Sequence, residues 1–306
     1  MTRPVALVGP TASGKSALAL ALARVRSDAE LVSVDSMQVY RGMDVGTATP
    51  SASERDEVPH HGLDLIDPHE EFTVAEFQRR VLAAVDDIEA RGRRALLVGG
   101  TGLYLQAVVD GLEVPGRYPD VRAGLDAEPD TAALHRRLSE LDPLAAARME
   151  PTNRRRVLRA LEVTIGGGRP FSSYGPGLDA YPPSRFRLVG LRLPRPVLDE
   201  RIAARYAAQV EAGFVEEVRR VWEDPRGVSR SAAQALGYKE LADHLAGRCT
   251  LEEALELAVR RTRRFARRQE RWFRRDPRIT WLEPPPPDHD ARAVLDELLA
   301  IWDEPG

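Results

Sequence analysis

Short apolar runs alternate with helical patterns through the first third of the chain. Runs typical of buried strands cover Pro4–Gly9, Glu30–Val34 and Arg94–Gly100. Patterns typical of helices cover Lys15–Val25, Thr73–Arg91 and Thr101–Gly111. Because strands that alternate with helices form parallel sheets, this order predicts an α/β fold, with a parallel sheet flanked by helices.

The pattern changes near Val114, after which no buried strand is evident until about Pro183. Helices are predicted there at Thr131–Leu141, Pro143–Met149 and Asn153–Ile165. We therefore expect residues 114–183 to form a helical insertion domain. It would divide the α/β core into residues 1–113 and 184–306.

The core is predicted to resume with a strand at Phe186–Leu193 and a long helical region at Val197–Trp222. A further helix is expected at Val259–Arg275. The proline run Pro284–Pro287 and the short helix after it are expected to form a tail packed on the surface.

Composition narrows the class of protein. The chain of 306 residues is 43% hydrophobic and 30% charged, which is typical of a globular protein. No apolar run approaches the roughly 20 residues of a membrane helix, and no secretory apolar segment follows Met1. Cys249 is the only cysteine, so we expect a cytoplasmic protein without disulfides. No apolar interface stripe is evident, which predicts a monomer.

Charge is unevenly distributed although the net charge is only −3. Nine arginines and one acid, Glu270, lie between Val259 and Arg275, and a second basic cluster is formed by Arg154–Arg156 with Arg159. Such clusters either bind a polyanion or form a solvated helix face. Only two of the 44 basic residues are lysines, Lys15 and Lys239.

A phosphate-binding loop is the clearest motif. The spacing G-x-x-x-x-G-K-S is met between a predicted strand and a predicted helix by Gly9-Pro10-Thr11-Ala12-Ser13-Gly14-Lys15-Ser16. Backbone N–H groups and Lys15 are expected to hold phosphate oxygens, and the Ser16 hydroxyl to coordinate Mg²⁺.

An expected companion of this loop is missing. Nucleoside triphosphatases carry an aspartate at the end of a second strand, but here that strand ends in Gly99-Gly100-Thr101-Gly102. The nearest acid on a strand end is Asp35. Because the carboxyl ends of parallel strands meet at one edge, Asp35 and Thr101 should lie near the phosphates. Asp35 is then a base or metal ligand, or merely caps its loop.

These residues resemble the tRNA dimethylallyltransferase (isopentenyl-tRNA transferase) family. The resemblance rests on residues 9–16, on the block Val34–Pro50 and on Val98–Tyr104, followed by Arg156–Val163 and Gln234–Lys239. It implies transfer of a dimethylallyl group from its diphosphate to N6 of the adenosine next to the anticodon of tRNA. The missing aspartate is then explained, because the phosphate loop holds a leaving group and no γ-phosphate is cleaved.

The resemblance also implies roles for individual residues. Asp35 would accept the proton of the N6 amine, and Thr101 would orient Asp35 or the diphosphate. Lys15, Mg²⁺ and an arginine would stabilise the departing diphosphate. Arg201 and Arg205, four residues apart on one helix face, are the candidates for that arginine, with Arg205 preferred.

Contacts with tRNA are implied for four regions. The target base would be bound by Asp35, Ser36, Met37, Gln38 and Thr101. The anticodon stem-loop would also meet Arg122, Arg155, Arg156 and Arg159 of the insertion, and Gln234, Gly237, Tyr238 and Lys239 of the core. The helix Val259–Arg275 would contact the RNA backbone. Tyr104 and Trp272 are expected in the core, and His60-His61, lacking a third ligand, in a structural loop.

Two other functions are compatible with the phosphate loop. A small-molecule kinase would bind and consume ATP without needing tRNA. A nucleic-acid-binding regulatory protein would use a nucleotide as a switch and turn nothing over. The Asp35 block and the missing second-strand aspartate favour prenyl transfer over both.

Overall fold

A single parallel sheet forms the centre of the chain. The computed structural model describes residues 3–283 and 292–305, and in them six strands pair in the order β3-β2-β4-β1-β5-β6. The strands are β1 (Val5–Val8), β2 (Ala29–Val34), β3 (His60–His61), β4 (Arg94–Gly99), β5 (Arg187–Leu191) and β6 (Thr280–Leu282). Every pairing is parallel, which confirms the predicted α/β fold.

Helices separate the strands along the chain. In the described part of the chain they are α1 (Lys15–Val25), α2 (Ala52–Glu57), α3 (Val74–Ala90), α4 (Gly102–Val109), α5 (Pro119–Asp126), α6 (Thr131–Leu141), α7 (Pro143–Ala147), α8 (Arg154–Gly167), α9 (Arg195–Glu211), α10 (Phe214–Trp222), α11 (Tyr238–Leu245), α12 (Leu251–Phe273) and α13 (Arg292–Asp303). Of the described helices, none combines the length and apolar character that a membrane crossing requires.

Both faces of the sheet are buried, as near-continuous apolar strands require. Side chains of a strand alternate between faces, so Val5 and Leu7 pack in one core while Ala6 and Val8 pack in the other. Helices α1 and α13 cover the first face. The second face carries the larger core, with α3, α4 and α9–α12.

The chain divides into two compact units. Asp110–Pro182 forms one of them, and the segments before and after it together form the other. The smaller unit begins four residues before the predicted start of the insertion at 114 and ends one residue before its predicted end at 183. Its helices α5–α8 have a core of their own, which includes Leu125, Leu138 and Leu161.

The structure departs from the local predictions in four places. His60-His61 is a short strand paired with β2, and β6 was not predicted. The region Val197–Trp222 is broken into α9 and α10 at Gly213, whose φ of 91° ends the helical path. Helix α13 is part of the core, since Trp302 is 1% exposed. The run Pro284–Pro287 lies outside the described residues.

A buried carboxylate ties β2 and β3 to the turn between α3 and β4. Glu30 is 1% exposed and accepts hydrogen bonds from Arg91 and His61, at 2.5 and 2.7 Å. Arg93 forms a further ion pair with it at 2.9 Å. The Arg91 guanidinium, helped by His61, lowers the pKa of Glu30 from 4.5 to about 2.

Glu30→Gln is therefore expected to lower the free energy of unfolding by about 2 kcal/mol at pH 7, because it removes the buried charge that the arginines pair with. The loss is moderate since the arginines are partly exposed to water. The carboxylate pKa is depressed in the folded state. Its contribution is thus complete above about pH 4.5 and is lost as the pH falls towards 2. Urea unfolding at pH 7 and pH 3 measures this, and the difference in the free energy of unfolding between the two proteins should be smaller at the lower pH.

Glu57→Gln is the matched control. Glu57 pairs with Arg24 at 2.7 Å, but both side chains are about half exposed. We expect this change to have little effect on the free energy of unfolding, because solvent screens the pair. An equal loss in both variants would show that Glu30 is no more important than a surface ion pair.

Candidate active site

The phosphate loop joins β1 to α1 along a path that few side chains permit. A Cβ at Gly9 would lie 2.9 Å from the carbonyl oxygen of Leu191, so the neighbouring strand leaves no room for one. Ala12 and Gly14 have φ values of 63° and 92°. Left-handed residues at alternate positions turn backbone N–H groups into a concavity that suits an anion. The loop therefore has the backbone shape of a phosphate site.

Lys15 begins helix α1 within this loop. Its Nζ donates to the carbonyl oxygen of Pro10 at 3.2 Å. Burial lowers the pKa of Lys15 to about 8; Asp35 acts to raise it and Arg205 to lower it further. An anion bound in the loop would raise this pKa again, because it stabilises the charged ammonium.

Affinity for a diphosphate ligand should consequently fall above pH 8. The free protein then loses the Lys15 proton that the complex retains, so the dissociation constant should rise by up to about tenfold per pH unit. Calorimetric titration with dimethylallyl diphosphate, without RNA, between pH 7 and 9.5 measures this. In Lys15→Ala only the titration of the ligand remains, and an unchanged pH profile in that variant would contradict the assignment.

Two arginines of α9 reach the phosphate loop. Arg205 donates to Thr11 Oγ1 at 2.7 Å, and Arg201 donates to the carbonyl oxygen of Ser13 at 3.4 Å. Burial lowers the pKa of the Arg205 guanidinium, although Tyr206 and Asp35 oppose this. Its Nε is buried and has no hydrogen-bond partner among the described residues. The spacing of four residues thus brings both side chains to the loop.

Asp35 and Thr101 lie on adjacent loops at the carboxyl edge of the sheet. Asp35 Oδ1 accepts from the backbone N–H of Met37 at 2.8 Å, which fixes the carboxylate in a turn. Thr101 Oγ1 accepts from the N–H of Ser36 at 3.2 Å. Within the described structure, Asp35 Oδ2 accepts no hydrogen bond. One carboxylate oxygen is therefore held and the other is available to a ligand.

Gln38 is oriented by the loop that follows it. Its Oε1 accepts from Ser33, and its Nε2 donates to the carbonyl oxygens of Thr47 and Ala48 at 3.3 and 3.1 Å. Gln38 also lines a cavity of about 160 Å³ together with Ser16. The polar atoms of this side chain are thus largely used to build the wall of the site.

Glu217 of α10 holds the same loop from the other side. Its carboxylate accepts from the N–H groups of Asp44, Val45 and Gly46 at 2.8–2.9 Å. It also accepts from the Tyr238 hydroxyl at 2.6 Å. Sequence reasoning missed Glu217, although an acid within the apolar spacing of α10 was a usable signal.

The glycines of Gly99–Gly102 allow neighbouring parts of the chain to approach this loop closely. A Cβ at Gly99 would lie 2.0 Å from the carbonyl oxygen of Val34, and one at Gly102 would lie 2.4 Å from the Trp272 ring. A Cβ at Gly100 would lie 2.4 Å from Nε2 of Gln269. The loop is glycine-rich because β2 and α12 approach it closely.

Comparison with known proteins places the chain in a family. The family model described as IPP transferase matches residues 38–276, about three quarters of the chain. The chain belongs to the IPP transferase family. A tRNA dimethylallyltransferase of Thermobifida fusca is 49% identical, over 98% of this chain and 94% of that protein. One from Kineococcus radiotolerans is 50% identical, over 97% and 96%.

Solved structures of IPP transferase relatives share the fold. A tRNA isopentenylpyrophosphate transferase of Bacillus halodurans has a TM-score of 0.70 and 39% identity, over 99% of this chain and 97% of that one. A eukaryotic dimethylallyltransferase described as acting on tRNA has a TM-score of 0.76 and 25% identity, over 92% of this chain and 74% of that one. The predicted family resemblance is confirmed.

The residues of the core that were expected to contact RNA fall into two groups in this IPP transferase family member. Gln234 and Lys239 are exposed, whereas Gly237 and Tyr238 are buried. The Tyr238 ring is fully buried between Phe214 and Trp222, and its hydroxyl is occupied by Glu217. Its side chain is therefore a core residue and not an RNA contact, which corrects the prediction for Tyr238. Tyr104 and Trp272 are partly buried against the core.

Within the insertion, two of the predicted arginines are used to build the unit. Arg159 pairs with the buried Glu162 and donates to the carbonyl oxygen of Pro115, both at 2.8 Å. Arg122 pairs with Asp126 at 2.9 Å. Arg155 and Arg156 are exposed and make no ion pair in the described part of the chain. Of the arginines predicted to contact RNA on the insertion, these two are the ones whose charge is not paired with an acidic side chain.

The arginine-rich helix α12 is similarly divided. Arg261 of this helix pairs with Glu240, and Arg274, directly after the end of the helix, pairs with Glu270. Among residues 3–283 and 292–305, exposed arginines of α12 without an ion pair are Arg264, Arg267, Arg268 and Arg271. The helix thus presents positive charge to solvent while its other side packs in the core.

Proposed function

We propose that this chain transfers a dimethylallyl group from dimethylallyl diphosphate to N6 of the adenosine next to the anticodon (position 37) of tRNA, releasing diphosphate. Membership of the IPP transferase family supports this, and so do relatives named for the reaction. The observation that carries it is one sheet edge with a phosphate loop and an available carboxylate, Asp35, while β4 ends in glycine.

On the donor side, the bond between C1 and the ester oxygen of the α-phosphate breaks. The diphosphate leaves with the electron pair, so negative charge grows where the phosphate loop, Lys15 and Arg205 converge. Groups already in place stabilise that charge without reorganising. Arg201 adds a second guanidinium at the end of the loop.

On the acceptor side, N6 of the adenine attacks C1 and loses a proton. Asp35 Oδ2 would accept it as the C–N bond forms. Thr101 accepts a hydrogen bond from the N–H of Ser36 and would help to hold the loop that carries Asp35. Ser36, Met37 and Gln38 are partly exposed beside Asp35, and they would surround the displaced base.

Mg²⁺ is proposed as the cofactor. The Ser16 hydroxyl is exposed at the start of α1 and makes no hydrogen bond to any other described residue. One protein oxygen, completed by diphosphate oxygens and waters, suits this ion because it retains several waters. Bound there by Ser16, it would neutralise charge on the leaving diphosphate.

RNA binding is proposed for exposed basic and polar groups. On the core these are the unpaired arginines of α12 together with Gln234 and Lys239, and on the insertion they are Arg155 and Arg156. Phosphate contacts of this kind predict an affinity that falls steeply with salt. We further propose a monomer that acts in the cytoplasm, since the sequence shows neither an interface stripe nor a membrane segment.

Transfer of label tests the function. The protein is incubated with Mg²⁺, radiolabelled dimethylallyl diphosphate and unmodified tRNA, and label is sought in the RNA. We expect label on one adenosine and none when that base is changed. Absence of label with hydrolysis of ATP, or with phosphorylation of a small molecule, would show that the loop serves a kinase instead.

A further inference from the structure

One glutamine of α12 spans the two loops of the proposed active site. Gln269 is 5% exposed and lies 258 residues from Thr11 along the chain. Its Oε1 accepts from the backbone N–H of Thr11 at 2.9 Å, and its Nε2 donates to the carbonyl oxygen of Gly100 at 2.8 Å. A single amide therefore joins the phosphate loop to the loop that carries Thr101.

An amide can make both contacts because it carries one acceptor and one donor group. A glutamate could accept from Thr11 but could not donate to Gly100, and a lysine could donate but not accept. The fit is close, since a Cβ at Gly100 would lie 2.4 Å from Nε2. Buried polar groups that lose such a partner carry a full desolvation penalty.

Each loop continues to a different part of the proposed reaction. Thr11 also holds Arg205 on the diphosphate side. Gly100 precedes Thr101, whose hydroxyl accepts from Ser36 beside Asp35 on the acceptor side. The separation of leaving group and base is thus set in part by the length of the Gln269 side chain.

We propose that Gln269 is a positioning residue that keeps the diphosphate loop and the Asp35–Thr101 loop at the spacing that transfer requires. This rests on the proposed function. Displacement of a reacting group by about 1 Å can cost about a hundredfold in rate. Loss of the bridge should therefore lower kcat about 10- to 100-fold, with KM for the prenyl donor changed less than about threefold.

The first test needs no activity. Hydrogen exchange at the Thr11 amide should be slow in the wild type and faster in Gln269→Met, which has no acceptor. It should stay slow in Gln269→Glu, which retains the acceptor. Unchanged exchange in Gln269→Met would overturn the proposal, whatever reaction the protein catalyses.

The second test is a double-mutant cycle on transfer. Rates of Gln269→Met, Thr101→Val and the double variant are measured at saturating donor and normalised to the donor-binding stoichiometry, which removes any inactive fraction. The two effects should be clearly less than additive, because Gln269 acts through the Thr101 loop. Strict additivity, or a Gln269→Met rate within twofold of the wild type, would overturn the proposal.

Two further variants keep this test decisive. Glu252→Met changes an exposed residue of the same helix and should leave kcat unaltered, which controls for a general disturbance of α12. If Gln269→Met does not fold, Gln269→Glu takes its place in the cycle, since it retains the shape and loses the Gly100 bond. Wild-type transfer in the same assay reports separately on the proposed function.

Discussion

Replacing Asp35 with asparagine should lower the rate of transfer by two or more orders of magnitude while tRNA binding is retained. Asparagine keeps the shape and can still accept from the Met37 N–H, but it cannot take a proton from the N6 amine. Single-turnover rates with preformed enzyme–tRNA complex measure the chemical step, and a filter-binding titration measures RNA affinity.

Asp56→Asn is the control for this change. Asp56 is exposed on α2, so the same chemical substitution should leave both quantities unaltered. A loss of tRNA affinity in Asp35→Asn as large as its loss of rate would assign Asp35 to binding. A rate within tenfold of the wild type would remove it as the base.

The second large effect is expected from Arg205→Met. Methionine fills similar space but removes the guanidinium that contacts Thr11 and carries an unpaired buried Nε. Because charge on the diphosphate grows as the C1–O bond breaks, kcat should fall about 10²- to 10³-fold. Product inhibition by diphosphate should also weaken, which an inhibition series at fixed donor would measure.

Arg195→Met is the control that distinguishes the contact of Arg205 with the loop from the overall positive charge of α9. Arg195 lies on the same helix, exposed, with a long contact of 3.8 Å to Asp199. Its removal should change kcat less than twofold. Equal losses in the two variants would mean that α9 contributes only its overall positive field. Arg201→Met should fall between them, since its contact with the loop is 3.4 Å.

The central strands and the phosphate loop could be predicted because their signals are local. Strands buried on both faces are largely apolar, and β1, β2 and β4 are of this kind, although β2 also carries the buried Glu30. The order of G-x-x-x-x-G-K-S after a strand sufficed for the loop. The meeting of Asp35 and Thr101 followed from a rule about parallel sheets that needs no contact information.

The elements that the sequence did not predict are those that depend on contacts with other parts of the chain. Strand β3 has two residues and β6 has three, so each depends on pairing with a longer strand. Gly213 is one glycine in a helical pattern, and only its φ of 91° separates α9 from α10. Tyr238 was predicted to contact RNA because of its position in a motif. Its hydroxyl instead donates to Glu217, which is 21 residues away in sequence.

The sequence by itself determined the class of fold, the phosphate loop and the family. Those follow from the periodicity of apolar residues, the spacing of motif residues and the residue types within short segments. Tertiary structure alone decided which arginines carry free charge, which motif residues are buried and how the two loops are joined. Contacts such as Gln269 with Thr11 link residues 258 apart, and closing that distance depends on the packing of the whole core rather than on any local propensity.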